Sequence, residues 1–383
     1  MSDLDQHARS GIQAIQEQRY DDAVASFQQA LALEPDRPDM NNALGMAYLH
    51  RGEVGSALPH LQRAVELAAP YRDARYADMK IHFHTGLATA YQLSDRVGDA
   101  ITLLRDTVAA YPEPVEPRLQ LAQLLLVSGH LQEGLDLYRA LGEGDALDEE
   151  GQLAARAVVG AAELFLGSDQ EASVFLRAHR DSYVQYFDEI AGSQEGWFAE
   201  AARMSRQDGE LKPVLAEGAR PYALSRVDVV NPETGEVAQV YSDKEPMVVA
   251  VEGLEPLAQL AILFPWEAHP LDVRVSTQCP WHWLTVTIEL EAALPPEARA
   301  EILDAVIGPW YLAGYNGDFG EKEKGRFHYV TDPEPVGDRA VAYTVDLGRA
   351  RFEAIEALLE ALVALHADHP VRRVLLGSGY LPE

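Results

Sequence analysis

Asn41 to Ala64 reads NNALGMAYLHRGEVGSALPHLQRA, and its small and bulky residues fall where two antiparallel helices must press together. Leu44, Gly45 and Tyr48 recur at helical spacing, Gly52 provides a break, and Ala57, Leu61 and Ala64 recur on one face of a second helix. Small side chains let two helix axes approach, and large ones fill the space that is left.

Equivalent sets lie on either side. Upstream, Gly11 to Pro35 reads GIQAIQEQRYDDAVASFQQALALEP, with Gly11, Ala14, Tyr20, Ala23, Phe27 and Ala30 in the matching places. Pro35 stops the second helix, because proline has no N–H and clashes with the preceding turn. Ala23 and Ala57 are 34 residues apart. Downstream, Leu87, Ala88, Tyr91, Asp95, Ala100, Leu104 and Pro112 form a third set. Leu121, Ala122, Leu125, Gly129, Leu131, Gly134 and Tyr138 form a fourth, with Gly134 again 34 residues after Ala100. Ala57 and Ala100 are 43 apart, so about nine residues are inserted between the second and third sets. They fall in PYRDARYADMKIHFHT, whose lack of Gly and Pro after Pro70 predicts a lengthened helix.

This recurring set resembles the tetratricopeptide repeat (TPR). The resemblance implies an all-α TPR helical solenoid over residues 1–208, with repeats at about 4–37, 38–71, 81–114 and 115–148. A degenerate fifth repeat is expected at 153–186, followed by a capping helix to 208 that carries Tyr183, Tyr186, Phe187, Ile190, Trp197, Phe198 and Ala201. The resemblance also implies a concave groove, lined by the first helix of each pair, that takes up a peptide. In register, its lining is Asp39, Asn42, Met46, Leu49 and His50, then His82, Thr85, Thr89 and Gln92, then Leu119, Gln123 and Leu126. Family members that clamp a terminal carboxylate use Lys, Asn and Arg at such positions. Here Asn42 stands without cationic neighbours, so a groove of Met, Leu, His and amides fits an apolar or basic peptide segment.

From Asp208 the stretch DGELKPVLAEGARP brings Gly and Pro at short intervals and marks a boundary. Residues 209–282 read as a linker and small β region, in which SRVDVVNPETGEVAQVYS (Ser225 to Ser242) is a hairpin turned at Asn231 to Gly235. Met247 to Val251, Leu260 to Phe264 and Leu271 to Val275 are further short strands. In residues 283–383, Leu284, Val286, Ile288 and Leu290 alternate with polar residues as a half-buried strand does. Pro295 and Pro296 open a helix expected to stop near Gly308-Pro309. Phe327 to Val330 and Val341 to Val345 are strands joined by the turn-rich TDPEPVGDR. Phe352, Ile355, Leu358, Leu359 and Leu362 form a helical stripe, and Val371 to Leu376 a last strand. The order β-α-β-β-α-β predicts an α+β domain with a ferredoxin-like split βαβ sheet. Val306, Ile307, Pro309, Leu312, Ala313 and Gly314 are similar to a "VI-x-P…LA-x-x-G" turn of small acidic ribosome-associated proteins of proteobacteria.

Charge narrows the partners. The 383 residues hold 61 Asp+Glu against 31 Lys+Arg, a formal net charge of -30, which repels phosphate backbones and argues against nucleic acid as a direct partner. Cys279 is the one cysteine, so no intramolecular disulfide can form. The start MSDLDQHARS has neither a basic nor an apolar leader region, and no apolar run is long enough to span a bilayer, so a bacterial cytoplasmic protein without a membrane partner is expected.

Several further groups are candidates for chemistry. Gly314 to Arg326, GYNGDFGEKEKGR, sets Lys322, Lys324 and Arg326 among glycines as a candidate anion loop, yet it lacks the G-x-x-x-x-G-K-[ST] pattern and reads better as a mobile connector. Asp318-Phe319-Gly320 has no kinase companions. Cys279 precedes His282 by three residues without a third orienting group, and a lone thiol is more often a buried small hydrophobe. His82 and His84 at i,i+2 face different ways, and His366 with His369 and Asp368 is followed by Pro370, so neither set predicts a metal. Thr285, Thr287 and Glu289, with Ala342, Thr344 and Asp346, lack the aromatic and basic side chains of an RNA-binding sheet. Their face is instead expected to pack on the preceding β region or on a second copy in a homo-oligomer. The sequence thus predicts a non-enzymatic protein-interaction scaffold without cofactors. The alternatives are a small-ligand or enzymatic C-terminal domain, with the loop closing over Trp281, Trp283, Trp310 or Tyr311, or ribosome association.

Overall fold

The computed structural model describes residues 2–191, 198–201, 204–207, 210–213, 226–230, 237–241, 251–321 and 325–381. The chain divides into two compact units, Met1–Leu126 with Gln132–Arg156, and Val127–Leu131 with Ala157–Pro382.

The first unit is built from helix pairs: α1 (Asp3–Gln16) with α2 (Tyr20–Leu33), α3 (Pro38–His50) with α4 (Val54–Ala68), α5 (Ala77–Leu93) with α6 (Val97–Ala110), and α7 (Val115–Val127) with α8 (Leu131–Glu143). They stack as a helical solenoid in which α3 packs on α5 as well as on its sequence neighbours. Each boundary has a chemical cause. Ser2 and Asp5 form a reciprocal capping box at α1, and Pro38 occupies the first turn of α3, where its missing N–H costs nothing. Buried Asn41 donates from Nδ2 to the carbonyls of Pro35 (3.0 Å) and Arg37 (2.9 Å), which ties the α2–α3 turn to α3. The insertion predicted after Pro70 is partly a 3-10 turn at Ala74–Tyr76, and the remainder lengthens α5 to 17 residues against 13 in α3.

Close helix approach rests on glycine. A Cβ at Gly45 would lie 2.6 Å from Leu61 Cγ and 3.2 Å from the Ala57 carbonyl oxygen, so α3 and α4 leave no room for a side chain there. Gly11 meets the Phe27 ring in the same way, at 2.5 Å. Between α5 and α6, His84 Nδ1 hydrogen-bonds Thr107 Oγ1 at 2.8 Å. Burial, reinforced by Lys80, holds this imidazole below its ordinary pKa against the opposing pull of Asp106.

In the second unit, α10 (Ser173–Ala191) follows α9 (Glu149–Leu166), whose residues the unit division separates at Arg156 and Ala157. Phe165 of α9 and Phe175 of α10 pack on Phe264 with ring centroids 4.6 and 5.6 Å away, so these two helices meet a β-strand within this unit. The capping helix expected to run to 208 ends at Ala191, where the sequence turns to Gly192, Ser193 and Gly196. Beyond it the backbone is extended at β1 (Phe198–Ala201) and β2 (Met204–Gln207). β2 pairs antiparallel with β3 (Glu210–Pro213). β4 (Arg226–Val230) and β5 (Val237–Tyr241) form the expected hairpin, with β1 on the outer side of β4. Asn231 to Gly235 and positions 247–250 of the expected Met247 to Val251 strand lie outside the described residues.

The larger sheet contains β6 (Leu263–Pro265), β7 (Val273–Ser276), β8 (Leu284–Leu290), β9 (Tyr329–Val330), β10 (Glu334–Val336), β11 (Ala340–Asp346) and β12 (Val371–Leu376). Its order is β10-β11-β8-β12-β7-β6, with β9 also paired to β11. All neighbours are antiparallel except β12 and β7, which are parallel. Helices α11 (Pro296–Tyr315) and α12 (Glu353–His366) pack on each other, on β11 and on β12. Asp304 of α11 accepts a hydrogen bond from the Tyr343 hydroxyl at 2.8 Å, and Trp310 Nε1 donates to the Ala354 carbonyl at 2.7 Å.

Four expectations are corrected here. α11 does not stop at Gly308-Pro309, because Leu303, Ile307, Trp310 and Gly314 form one continuous buried stripe whose packing offsets the hydrogen bond that Pro309 cannot make. The similarity motif at Val306 to Gly314 is therefore helix and not a turn. The connector TDPEPVGDR carries β10, where Pro335 is tolerated because this strand is a sheet edge. The polar face of β8 is not open at its end: Glu289 is buried and paired with Arg372 (2.8 Å) and Arg373 (3.4 Å), and Arg373 also holds Asp272 (2.8 Å). The preceding strands β6 and β7 extend the sheet edge instead of covering that face.

Two outcomes follow from the repeat packing. Gly45→Val should destabilise the fold by about 1–3 kcal/mol through overpacking against Leu61, read as a lower urea midpoint in circular dichroism. Trimming the opposing side chain in Gly45→Val/Leu61→Ala should recover part of that loss, so the two substitutions will not be additive. For His84 the folded pKa lies below the ordinary 6.5. Above that value both states are neutral; as pH falls through it the unfolded chain takes up the proton first, so stability is lost on acidification. A melting-temperature series across this window should be flatter for His84→Gln than for the natural chain.

Candidate functional site

The first helices of the second, third and fourth repeats converge on a cavity of about 520 Å³. Met46 of α3, His82, Thr85, Gly86 and Thr89 of α5, and Val115, Glu116, Leu119, Gln120 and Gln123 of α7 line it. Its floor is a hydrogen-bonded ladder between α5 and α7. Thr89 Oγ1 donates to the Thr85 carbonyl (3.0 Å), the back-bond that a β-branched hydroxyl makes inside a helix. Gln120 Nε2 donates to Thr89 Oγ1 (3.0 Å) and to the Thr85 carbonyl (3.3 Å). A carbonyl can only accept, so this contact fixes which end of the Gln120 amide is nitrogen. Buried Thr85 places its hydroxyl 3.1 Å from the His82 carbonyl and 3.3 Å from Glu116 Oε1.

Six of the residues predicted for the groove are brought together here: Met46, His82, Thr85, Thr89, Leu119 and Gln123. The others do different work. Asp39 is held by Arg37, with Nη2 to Oδ2 at 2.6 Å. Burial raises the Asp39 pKa, but the Arg37 hydrogen bond and charge, with backbone N–H groups, outweigh it and leave the carboxyl below its ordinary value. His50 stacks on Tyr20 at 4.9 Å, and Leu49 packs with Leu61 and Leu87. Leu126 is core: it is 1% exposed, and its side chain fills the space over Gly134 of α8. Asn42 is 5% exposed, and its Oδ1 is buried without a hydrogen-bond partner. Gln92 does not reach the cavity lining.

Gly86, Val115, Glu116 and Gln120 were not anticipated. A helical register would have found two of them, because Glu116, Leu119, Gln120 and Gln123 follow the i, i+3, i+4, i+7 stripe that faces α5. Starting instead from Leu119, Gln123 and Leu126 drifts off that stripe into the α7–α8 contact.

In the second unit the candidate chemistry disperses. Lys322 and Lys324 lie outside the described residues. Trp281 and Trp310 are core, with Trp281 Nε1 donating to the Gly348 carbonyl (2.9 Å), while Trp283 is 58% exposed. Cys279 is fully buried, and burial pushes its thiol pKa well above the ordinary value. His366 Nδ1 is engaged with the Val371 backbone at 3.1 Å. Among the described residues, no His, Cys, Asp and Glu group of three or more could hold a metal, and no helix is long and apolar enough to cross a membrane.

Comparison with known proteins bears on the first unit. No curated protein matches the sequence. Among solved structures, similar ones include TPR-like repeats of a kinesin light chain of Podosopora anserina, at 23% identity over 50% of this chain and 97% of that one, TM-score 0.37. A thermophilic TPR protein of Thermus thermophilus is 22% identical over 40% of this chain and 97% of its own, TM-score 0.26. Pseudomonas aeruginosa pilF is 15% identical over 50% of this chain and 98% of its own, TM-score 0.27. The Tetratricopeptide repeat family model matches residues 10–72 of this chain.

Proposed function

We propose that this protein is an interaction scaffold whose repeats hold an extended or helical segment of a protein partner along the α3–α5–α7 face. The observation that carries the reading is the cavity itself. It is lined by first-helix residues of three consecutive repeats, and it combines apolar side chains (Met46, Val115, Leu119) with polar ones (Thr85, Glu116, Gln120, Gln123). Peptide recognition needs that mixture: apolar area for affinity and a few placed polar groups for register.

For the second unit we infer a ferredoxin-like domain extended by β6 and β7. The support is the antiparallel run β10-β11-β8-β12, with one helix crossing between β8 and β10 and another between β11 and β12. In this scaffold the domain supplies a second contact surface.

The decisive residue is Leu119, which lines the cavity yet is only half-buried. Leu119→Arg should leave the unfolding free energy within about 0.5 kcal/mol of the natural chain, as expected away from the core, while abolishing retention of partners by the immobilised full-length protein. Quantitative mass spectrometry of the two retained sets reads the difference. Identical sets would remove the cavity from partner binding.

A further inference from the structure

Resting on the groove reading above, we infer that the cavity is an anchor for one cationic side chain, a Lys or Arg of the bound segment, and that the repeats select donor-rich rather than carboxylate-bearing peptides.

The polar inventory of the cavity is one-sided. Gln120 has its amide orientation fixed by the Thr85 carbonyl, which leaves Oε1 as the free end, and this oxygen is buried without a partner. Asn42 Oδ1, on the neighbouring α3, is also buried without a partner. A Cβ built on cavity-lining Gly86 would lie 3.6 Å from it, so this oxygen borders the wall where α5 is bare. Glu116 adds an exposed carboxylate whose Oε1 is met by the Thr85 hydroxyl at 3.3 Å. No Lys or Arg side chain is among the described residues that line the cavity.

Unpaired buried acceptors are expensive, about 1–3 kcal/mol each, and are retained where something else satisfies them. The complement to amide oxygens plus a carboxylate is a group that only donates. Ammonium and guanidinium are the cationic side chains of that kind, matched to the Glu116 charge as the neutral indole N–H is not, and their methylene stems suit the apolar walls at Met46 and Leu119. Absence of a side chain at Gly86 keeps the wall open beside Met46, whose Sδ would be only 3.1 Å from a Cβ there. The net charge of -30 acts in the same direction, because it attracts a basic segment and repels an acidic one before contact.

The test is a random peptide library displayed and selected on the full-length chain, with Leu119→Arg as the blocked control. Selected peptides should share one Lys or Arg flanked by apolar residues, and enrichment should vanish on Leu119→Arg. The best such peptide should bind about tenfold or more weakly to Glu116→Gln, and similarly when its Lys or Arg is replaced by norleucine, with affinity falling as salt rises. Groove-dependent enrichment without a Lys or Arg preference, or equal binding by Glu116→Gln, would overturn the cation anchor and leave the groove reading standing. No enrichment that Leu119→Arg abolishes would sink both.

Discussion

Contact between a missing side chain and a large one governs the repeat unit. Gly45 against Leu61 and Gly11 against Phe27 are the same contact, each sixteen residues long in sequence and one period apart. Where the first helix has no Cβ, the second can bring a whole Leu or Phe onto its backbone, and the pair closes at a separation that a side chain would forbid. Ala88 and Leu104, and Ala122 and Tyr138, stand at the same sixteen-residue spacing with a methyl in place of hydrogen, and all four are buried. Each pair leaves one side of its first helix unoccupied by its own partner. Successive repeats align those sides, so the cavity is a by-product of the rule that closes the pairs.

That rule is periodic, and periodicity is what a single sequence displays best. The helix pairs and the insertion before α5 were legible because substituting any one small residue leaves the others in register. Site residues were less legible for a reason of geometry. A step of 3.6 residues per turn means that a stripe followed from the wrong starting residue rotates away from its target within two turns, as Leu126 shows by ending inside the α7–α8 contact. Side-chain chemistry gave a second blind spot: which end of the Gln120 amide is left without a partner depends on Thr85, an unrelated residue 35 positions away.

In the second unit the local signals and the outcome diverge where packing overrules propensity. Gly308-Pro309 is a stop signal in isolation, and Trp310 one residue later is buried with its indole N–H on Ala354, which carries the helix through. Pro335 marks a turn by composition and becomes an edge strand because only one side of β10 needs hydrogen bonds. By contrast, the alternating strand β8 was legible, since a buried central strand has few other ways to place Leu284, Val286 and Ile288. What alternation cannot convey is the state of the other face. Glu289 reads as a solvated residue until Arg372 and Arg373, more than eighty positions later, are seen to neutralise it.

The end of β8 and the repeat cavity thus treat buried polarity in opposite ways. In the sheet, Glu289 and Asp272 are matched by Arg373 at hydrogen-bonding distance, the condition under which buried charges persist in a folded domain. In the repeats, oxygens of Asn42 and Gln120 stay buried and unmatched a short distance from an open cavity. Replacing Asn42 by an apolar residue of similar size would relieve the cost without disturbing the helix pair, because Leu is at least as good a helix former as Asn. Gln120 has a structural reason in the two hydrogen bonds it donates to α5, yet its Oε1, like Asn42 Oδ1, gains nothing from the fold, whereas a ligand that donates hydrogen bonds gives each oxygen a partner.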